Sequence, residues 1–277
     1  MPELPEVETV RRGLQHGVQG ARIAAVSVYD RRLRWPVAAD FEAALIGATV
    51  QDIERRSKYL LFRLDSGRTW LAHLGMTGSF VLHRGPARPA RRTHDHVDVT
   101  LHTPEGLALL RYNDPRRFGS MHVFDGRDDA QPLLAALGPE PLTDAFNADY
   151  LHAATRRRSG PIKQALMDNR LVVGVGNIYA NESLFRAGIH PDRAVNRVSR
   201  ERLARLVLEV KAVLHEAIAA GGSTLRDFVN SAGEPGYFQL DYNVYGRDGQ
   251  PCRRCGRPLK PMRHGGRATV YCAHCQR

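Results

Sequence analysis

All four cysteines of this 277-residue chain fall between positions 252 and 275, as Cys252-x-x-Cys255, sixteen further residues, and Cys272-x-x-Cys275. No other feature restricts the fold as tightly. Two such pairs have the spacing of a four-thiolate zinc site built on two knuckles, and in a reducing compartment the clustering argues for a metal rather than disulfides. A closed set of four ligands leaves no position for water, so one structural Zn²⁺ is expected, with His264 and His274 left over.

From Arg247 to Arg277 eight basic residues face a single acid, Asp248, which gives +7, or +5 with four thiolates on one Zn²⁺. A metal-stapled basic hairpin can press arginines onto phosphates, although a zinc module that only stabilises the fold has the same cysteines. The whole chain carries +11 at pH 7, with a pI of about 9.9, which points to a polyanionic partner such as nucleic acid. No stretch has the length of a membrane span. The acidic N-terminus lacks the apolar core of a secretion signal, and the chain is therefore expected in the cytoplasm.

Seven short strands are expected before residue 125, at 22–29, 49–55, 59–64, 70–74, 94–102, 107–111 and 120–124. In residues 97–102 the apolar side chains alternate, so one face is read as buried and the other as wet. Many short strands separated by Gly, Pro and Asp suggest an antiparallel β-sandwich. His94 and His96 share a strand face; with no third ligand nearby they are read as hydrogen-bonding or phosphate-contacting histidines rather than a metal pair. Residues 125–142 read as a linker, after which the pattern turns helical. Helices are expected at 162–169, at 177–187, and from Ser199 to Gly221-Gly222, the last carrying Leu203, Leu206, Val207, Val210, Val213, Leu214 and Ile218. The turn Gly174-Val175-Gly176 opens the middle helix and could seat a phosphate, or merely turn the chain.

The other end reads as chemistry. Once Met1 is removed, Pro2 offers a secondary α-amine followed at once by the Glu3 carboxylate. An α-amine has a pKa near about 8, so at neutral pH a far larger fraction is neutral than for a lysine, and it can attack an aldehyde-like carbon to give an iminium. Glu3 is the neighbouring acid/base. Pro5 suits the first turn of a helix whose apolar stripe is Val7, Val10 and Leu14. The same residues are also what an ordinary acidic helix start looks like.

Taken together, Pro2-Glu3-Leu4-Pro5-Glu6, Lys58-Tyr59-Leu60, His73-Leu74-Gly75-Met76-Thr77-Gly78, Asp114-Pro115-Arg116-Arg117-Phe118-Gly119, Gly174-Val175-Gly176-Asn177-Ile178-Tyr179 and the four-cysteine tail resemble the bacterial formamidopyrimidine-DNA glycosylases, in order along the whole chain. The resemblance implies an α+β protein of two lobes. Residues 1–130 would form an N-terminal β-sandwich domain with its N-terminal helix, 131–245 a helix-two-turn-helix domain, and 246–277 a zinc finger. It implies a glycosylase and AP lyase that excises oxidised purines, such as 8-oxoguanine and formamidopyrimidines, from double-stranded DNA and then cuts by β- and δ-elimination. The implied partner is damaged duplex DNA and the implied state a monomer.

By the same resemblance Pro2 attacks C1′ of a flipped nucleotide, Glu3 moves protons during sugar ring opening, Lys58 contacts the lesion nucleotide, and Arg267 joins them in the catalytic group as a phosphate clamp. On the DNA-binding side, Met76, Arg116 and Phe118 fill the gap left by the flipped base, Arg116 facing the orphaned cytosine. Asn177 and His96 contact the backbone, Glu6 lies near the base, and residues 223–237 close over it. Arg156-Arg157-Arg158 stand where relatives can carry lysines. The rivals are an endonuclease VIII-type glycosylase, whose start reads Pro-Glu-Gly-Pro-Glu where this chain has Leu4, and a non-enzymatic zinc and helix-turn-helix DNA-binding protein.

Overall fold

A computed structural model describes residues 2–222 and 242–277. The chain divides into two compact units, one built on residues 2–135 and the other on Ala136–Ala219 with the C-terminal residues.

The first unit opens with α1 (Leu4–Val18), whose Val7, Val10, Leu14 and Val18 lie one helical face apart and are all buried. They pack into a core shared by two antiparallel four-stranded sheets. The first sheet pairs β1 (Arg22–Val28), β6 (Asp95–Thr103), β7 (Gly106–Asn113) and β5 (Ser79–Arg84) in that order; the second runs β2 (Val50–Arg56), β3 (Tyr59–Leu64), β4 (Arg68–His73), β8 (Ser120–Asp125). The short helix α2 (Phe41–Leu45) adds Phe41 to the aromatic centre, where Phe62 stacks on Trp70 at 4.2 Å and Phe80 meets both edge-on. This is the expected sandwich, with one strand more than the sequence pattern indicates. β5 lies at the edge of its sheet and pairs only with β7, and its apolar run Phe80-Val81-Leu82 does not alternate with polar residues.

The face of β6 expected to be wet is exposed at His102 and half-buried at Thr100, but closed at Asp98. Asp98 is buried because Arg111 on β7 grips it with two bonds of 2.8 Å, while the Arg111 Nη1 donates to the carbonyls of Pro89 and Ala90, bringing residues 89–90 over that face. A planar guanidinium on a carboxylate, with its remaining donors satisfied, makes such burial tolerable.

The span expected as a linker contains a single 3-10 turn and α3 (Pro132–Ala135). In the second unit, α4 (Ala148–Thr155), α5 (Ile162–Leu166), α6 (Asn177–Ala187) and α7 (Arg200–Ala219) follow. α6 has the expected bounds because glycines sit at both ends, Gly176 as N-cap and Gly188 in the left-handed region at φ 70° as C-cap. α5 stops earlier than expected: the Asp168 carboxylate takes the Arg170 N–H at 3.0 Å and Arg158 at 2.7 Å, drawing the chain into a turn. The tail ends in a hairpin, β9 (Lys260–His264) and β10 (Arg267–Tyr271), turned by Gly265 and Gly266, both at positive φ. Among the described residues no helix is long and apolar enough to cross a membrane.

Candidate active site and nucleic-acid interface

The N-terminal peptide is held by its own helix. Glu3 caps α1, and a reciprocal capping box joins it to Glu6: the Glu3 side chain takes the Glu6 N–H, and the Glu3 N–H donates to Glu6 Oε2 at 2.7 Å. Pro2, Glu3 and Glu6 are all buried. The Pro2–Glu3 linkage is thereby fixed on a rigid element, with the Glu6 carboxylate holding the Glu3 N–H and the Glu3 carboxylate on the residue next to Pro2.

Lys58, also buried, stands in the two-residue turn between β2 and β3, where Arg56 pairs with Tyr59. Its predecessor Ser57 is forced to φ 56°. Arg55 ties this turn to α1, donating to the Ser57 carbonyl at 3.0 Å and bridging Glu8 at 3.2 Å. Burial pushes the Glu8 carboxyl up, but Arg11, Arg12 and Arg55 outweigh it and hold the group below the usual carboxylate range. Glu8 and Arg55 were not singled out from sequence, because only the fold reveals that a helix acid reaches a strand arginine 47 positions away.

His73 closes this side of the site. Burial, followed by the positive charges of Lys58 and Arg34, lowers its ring to about 4, so it is neutral at pH 7. Its Nδ1 accepts the Gly75 N–H at 3.0 Å, which places the ring proton on Nε2. The Tyr59 ring lies 5.0 Å away.

Two loops of the same unit present the three residues expected to fill a flipped base's space. Met76 is half-buried on the turn after β4; Arg116 and Phe118 are exposed between β7 and β8, Phe118 by 43%. The Arg116 guanidinium lies 4.9 Å over the Phe118 ring. Between them Arg117 adopts φ 57° and turns back to bridge Asp30 at 2.8 Å, leaving its two neighbours outward. Of the described non-glycine residues, those at positive φ are Ser57, His94 and Arg117, and each lies within two positions of a candidate site residue. Such strain persists only where the surroundings over-determine it. His96 is buried, its Nε2 2.8 Å from the Asp114 carbonyl, so of its two readings the structure supplies the hydrogen bond.

In the second unit Asn177 begins α6 and donates from Nδ2 to the Ala268 carbonyl at 3.0 Å, and the fully buried Lys163 reaches the same carbonyl at 3.1 Å and the Thr269 hydroxyl at 2.6 Å. Asn177 is thereby bonded to β10 at the residue that follows the exposed Arg267. Glu182 was missed from sequence. Buried in α6, it accepts the N–H groups of Asn243, Val244 and Tyr245 at 2.9 Å each and the Asn243 side-chain amide at 3.0 Å, anchoring the segment that leads into the cysteine tail. The segment expected to close over the base, 223–237, lies outside the described residues, as does Met1.

The four cysteine sulfurs lie within 4.8 Å of one another, with Cys252 and Cys275 at 4.0 Å and Cys255 and Cys272 at 3.5 Å. A tetrahedral zinc with Zn–S bonds of about 2.3 Å has edges of about 3.8 Å, so these donors fit one Zn²⁺. Burial, with the three neighbouring thiols, pushes the Cys275 thiol up to about 12, and a cation among the four sulfurs would favour its thiolate. His264 is not a ligand: it lies 3.1 Å from the Thr269 hydroxyl and 2.9 Å from Asp192.

Comparison with known families gives three matches in chain order: the formamidopyrimidine-DNA glycosylase N-terminal domain over residues 1–121, its H2TH domain over 137–229, and the zinc finger found in FPG and IleRS over 249–277. The chain is 53% identical to a formamidopyrimidine-DNA glycosylase of Stenotrophomonas maltophilia and 52% identical to that of Xanthomonas campestris, covering all of each protein. Among solved structures it resembles the Thermus thermophilus MutM (FPG) protein (TM-score 0.85, 40% identity, 99% of this chain and 98% of that one). It also resembles the Lactococcus lactis Fpg in complex with DNA containing an abasic site (TM-score 0.88, 33% identity, 99% of each). An L. lactis Fpg mutant bound to Fapy-dG DNA matches with TM-score 0.89 at 33% identity over 99% of each chain. The capped helix start, the loops carrying Met76, Arg116 and Phe118, and the four-thiolate tail thus lie within segments that match in order, and the chain belongs to the formamidopyrimidine-DNA glycosylase family.

Proposed function

We propose that this chain acts as a DNA glycosylase and AP lyase on double-stranded DNA containing oxidised purines or abasic sites, with the Pro2 nitrogen as nucleophile. The amine attacks C1′ of the damaged nucleotide; the bond from C1′ to the base breaks, and the base leaves with the electron pair and a proton. Opening of the sugar, with Glu3 handing a proton to the ring oxygen, leaves an iminium between Pro2 and C1′. That cation is the electron sink for loss of the C2′ proton and the 3′ phosphate, then of the 5′ phosphate.

The observation that carries the reading is the capping box that fixes Pro2–Glu3 at the start of α1, in the same unit as the buried Lys58 and the exposed Arg116–Phe118 pair. Lys58 contacts the lesion nucleotide. Met76 and Phe118 enter the stack, where side-chain wedges offset an unstacking cost of roughly a few kcal/mol per step, and Arg116 bonds the base left unpaired. Asn177 and Arg267 clamp phosphates. Glu6 serves the base indirectly, through the peptide it holds, and His96 serves the backbone through the turn it bonds.

The relatives crystallised on Fapy-dG and abasic-site DNA support the substrate class. The reading takes the chain as a monomer working on bacterial chromosomal DNA in the cytoplasm. Excision measured on duplexes carrying 8-oxoguanine, a formamidopyrimidine, or an oxidised pyrimidine tests it: the purine lesions should be released faster. Preferential release of the pyrimidine lesion would place the chain with the endonuclease VIII-type enzymes instead.

A further inference from the structure

Beneath the turn that carries Met76 and the exposed loop that carries Arg116 and Phe118 lies a buried carboxylate that the proposed reaction does not use. Asp114 is fully buried, and its side chain is met by hydroxyls and a backbone N–H: Oδ1 accepts the Thr77 hydroxyl at 2.6 Å, and Oδ2 accepts the Gly119 N–H at 2.8 Å and the Tyr112 hydroxyl at 3.2 Å. Its carbonyl takes the Arg117 N–H at 3.2 Å and faces His96 Nε2 at 2.8 Å. A buried carboxylate is costly unless its lone pairs are filled, and here the filling comes from both loops at once.

Thr77 is the link between them. Its hydroxyl donates to Asp114 and accepts the Arg116 N–H at 3.1 Å, so the residue next to Met76 on one loop holds the backbone of Arg116 on the other. The contact continues at Gly75, where an added Cβ would lie 2.3 Å from the Phe118 carbonyl carbon. Met76, Arg116 and Phe118 are therefore carried by one hydrogen-bonded body rather than by two independent loops. The Tyr112 hydroxyl remains a donor within it, because burial and the Asp114 charge raise it well above the usual phenol range.

We propose that Asp114, acting through the Thr77 hydroxyl, is a positioning residue that fixes Arg116 against the base opposite the lesion and so sets the enzyme's preference for that base. The inference rests on the reading of Arg116 given above. A hydrogen-bonding side chain discriminates only while its backbone is held; once Arg116 swings, it meets cytosine and adenine on more equal terms.

The test is single-turnover excision of 8-oxoguanine opposite cytosine and opposite adenine, expressed as a ratio so that any general loss of rate cancels. Arg116→Ala sets the scale by collapsing the ratio. Thr77→Val, which keeps the branched shape and removes the hydroxyl, should lower the ratio at least about five-fold, and Thr77→Ser, which restores the hydroxyl, should return it to within about two-fold of wild type. If Arg116→Ala lowers the ratio and Thr77→Val leaves it at the wild-type value, the positioning role is wrong while the Arg116 reading stands. If Arg116→Ala itself leaves the ratio unchanged, both fall. Should Thr77→Val not fold, Thr77→Ala is read in the same assay with the same two outcomes.

Discussion

Replacing Gly75 by alanine should damage the first unit by an amount the structure allows to be worked out in two parts. Gly75 sits at φ 63°, where any L residue carries a penalty of about 1–2 kcal/mol. Its added Cβ would stand 2.3 Å from Phe118 C, 2.4 Å from Gly119 N and 2.5 Å from Phe118 O, all backbone atoms. Non-bonded carbon contacts relax at about 3.5–4.0 Å, so the Phe118–Gly119 peptide has to move by more than about 1 Å, and overpacking of this kind costs about 1–3 kcal/mol. The sum is about 2–5 kcal/mol. Gly67→Ala supplies the control, since Gly67 has φ 79° but nothing within 4 Å of its Cβ position; it should cost only the first part. Urea unfolding followed by tryptophan fluorescence is the assay, because both tryptophans, Trp35 and Trp70, lie in this unit. Gly75→Ala should also slow excision from duplex DNA, since the strain can be relieved by displacing Phe118. If the two alanine variants lose equal stability and Gly75→Ala excises at the wild-type rate, the two loops do not abut as described.

The His73 ring gives a pH dependence with a definite sign. Its ring is lowered from 6.5 to about 4 in the folded chain, so its contribution is complete above pH 6.5 and disappears as the pH falls through about 4. Between pH 7.5 and 5 it amounts to at most about 2 kcal/mol, an upper bound because the ring is only partly enclosed; urea midpoints should show this fall in the wild type and a smaller one in His73→Asn, an equal fall excluding the assignment. Glu182→Gln leaves two of four donors facing an amide that cannot accept from them, a loss of about 2–6 kcal/mol at about 1–3 kcal/mol each. Unfolding of the second unit, followed by circular dichroism, should register it, and an unchanged midpoint would mean the anchor is not formed. Cys272→Ser should release zinc, measured by metal analysis, and weaken DNA binding while the sandwich stays folded. Stoichiometric zinc with unchanged affinity would contradict it.

What the sequence makes legible here is local. The α6 bounds follow from Gly176 and Gly188, the α1 face from Val7, Val10 and Leu14, and the metal set from two short cysteine spacings, because each signal is complete within a few residues. The helix ends before Asp168 because that side chain overrides the local pattern, and β5 escapes notice because its apolar run does not alternate. Polar anchors were invisible for a different reason. Asp98 with Arg111, Glu182 with residues 243–245, and Thr77 with Asp114 are ordinary polar residues until the fold places their partners beside them, 13, 61–63 and 37 positions away. The candidate site divides in the same way: Asp114 and Thr77 stand within recognisable motifs but carry no linear sign that they bond each other, and Glu8 and Arg55, which tie the Lys58 turn to α1, lie in no motif that pairs them.

The central claim is that the Pro2 nitrogen forms the covalent bond. Protein mixed with duplex DNA containing 8-oxoguanine in borohydride should give a reduced, stable conjugate, and peptide mass spectrometry should place the adduct on Pro2. A form that retains Met1, verified by intact mass, should give none while still binding the duplex. A conjugate on a lysine, or normal trapping by the Met1-retaining form, would contradict the account.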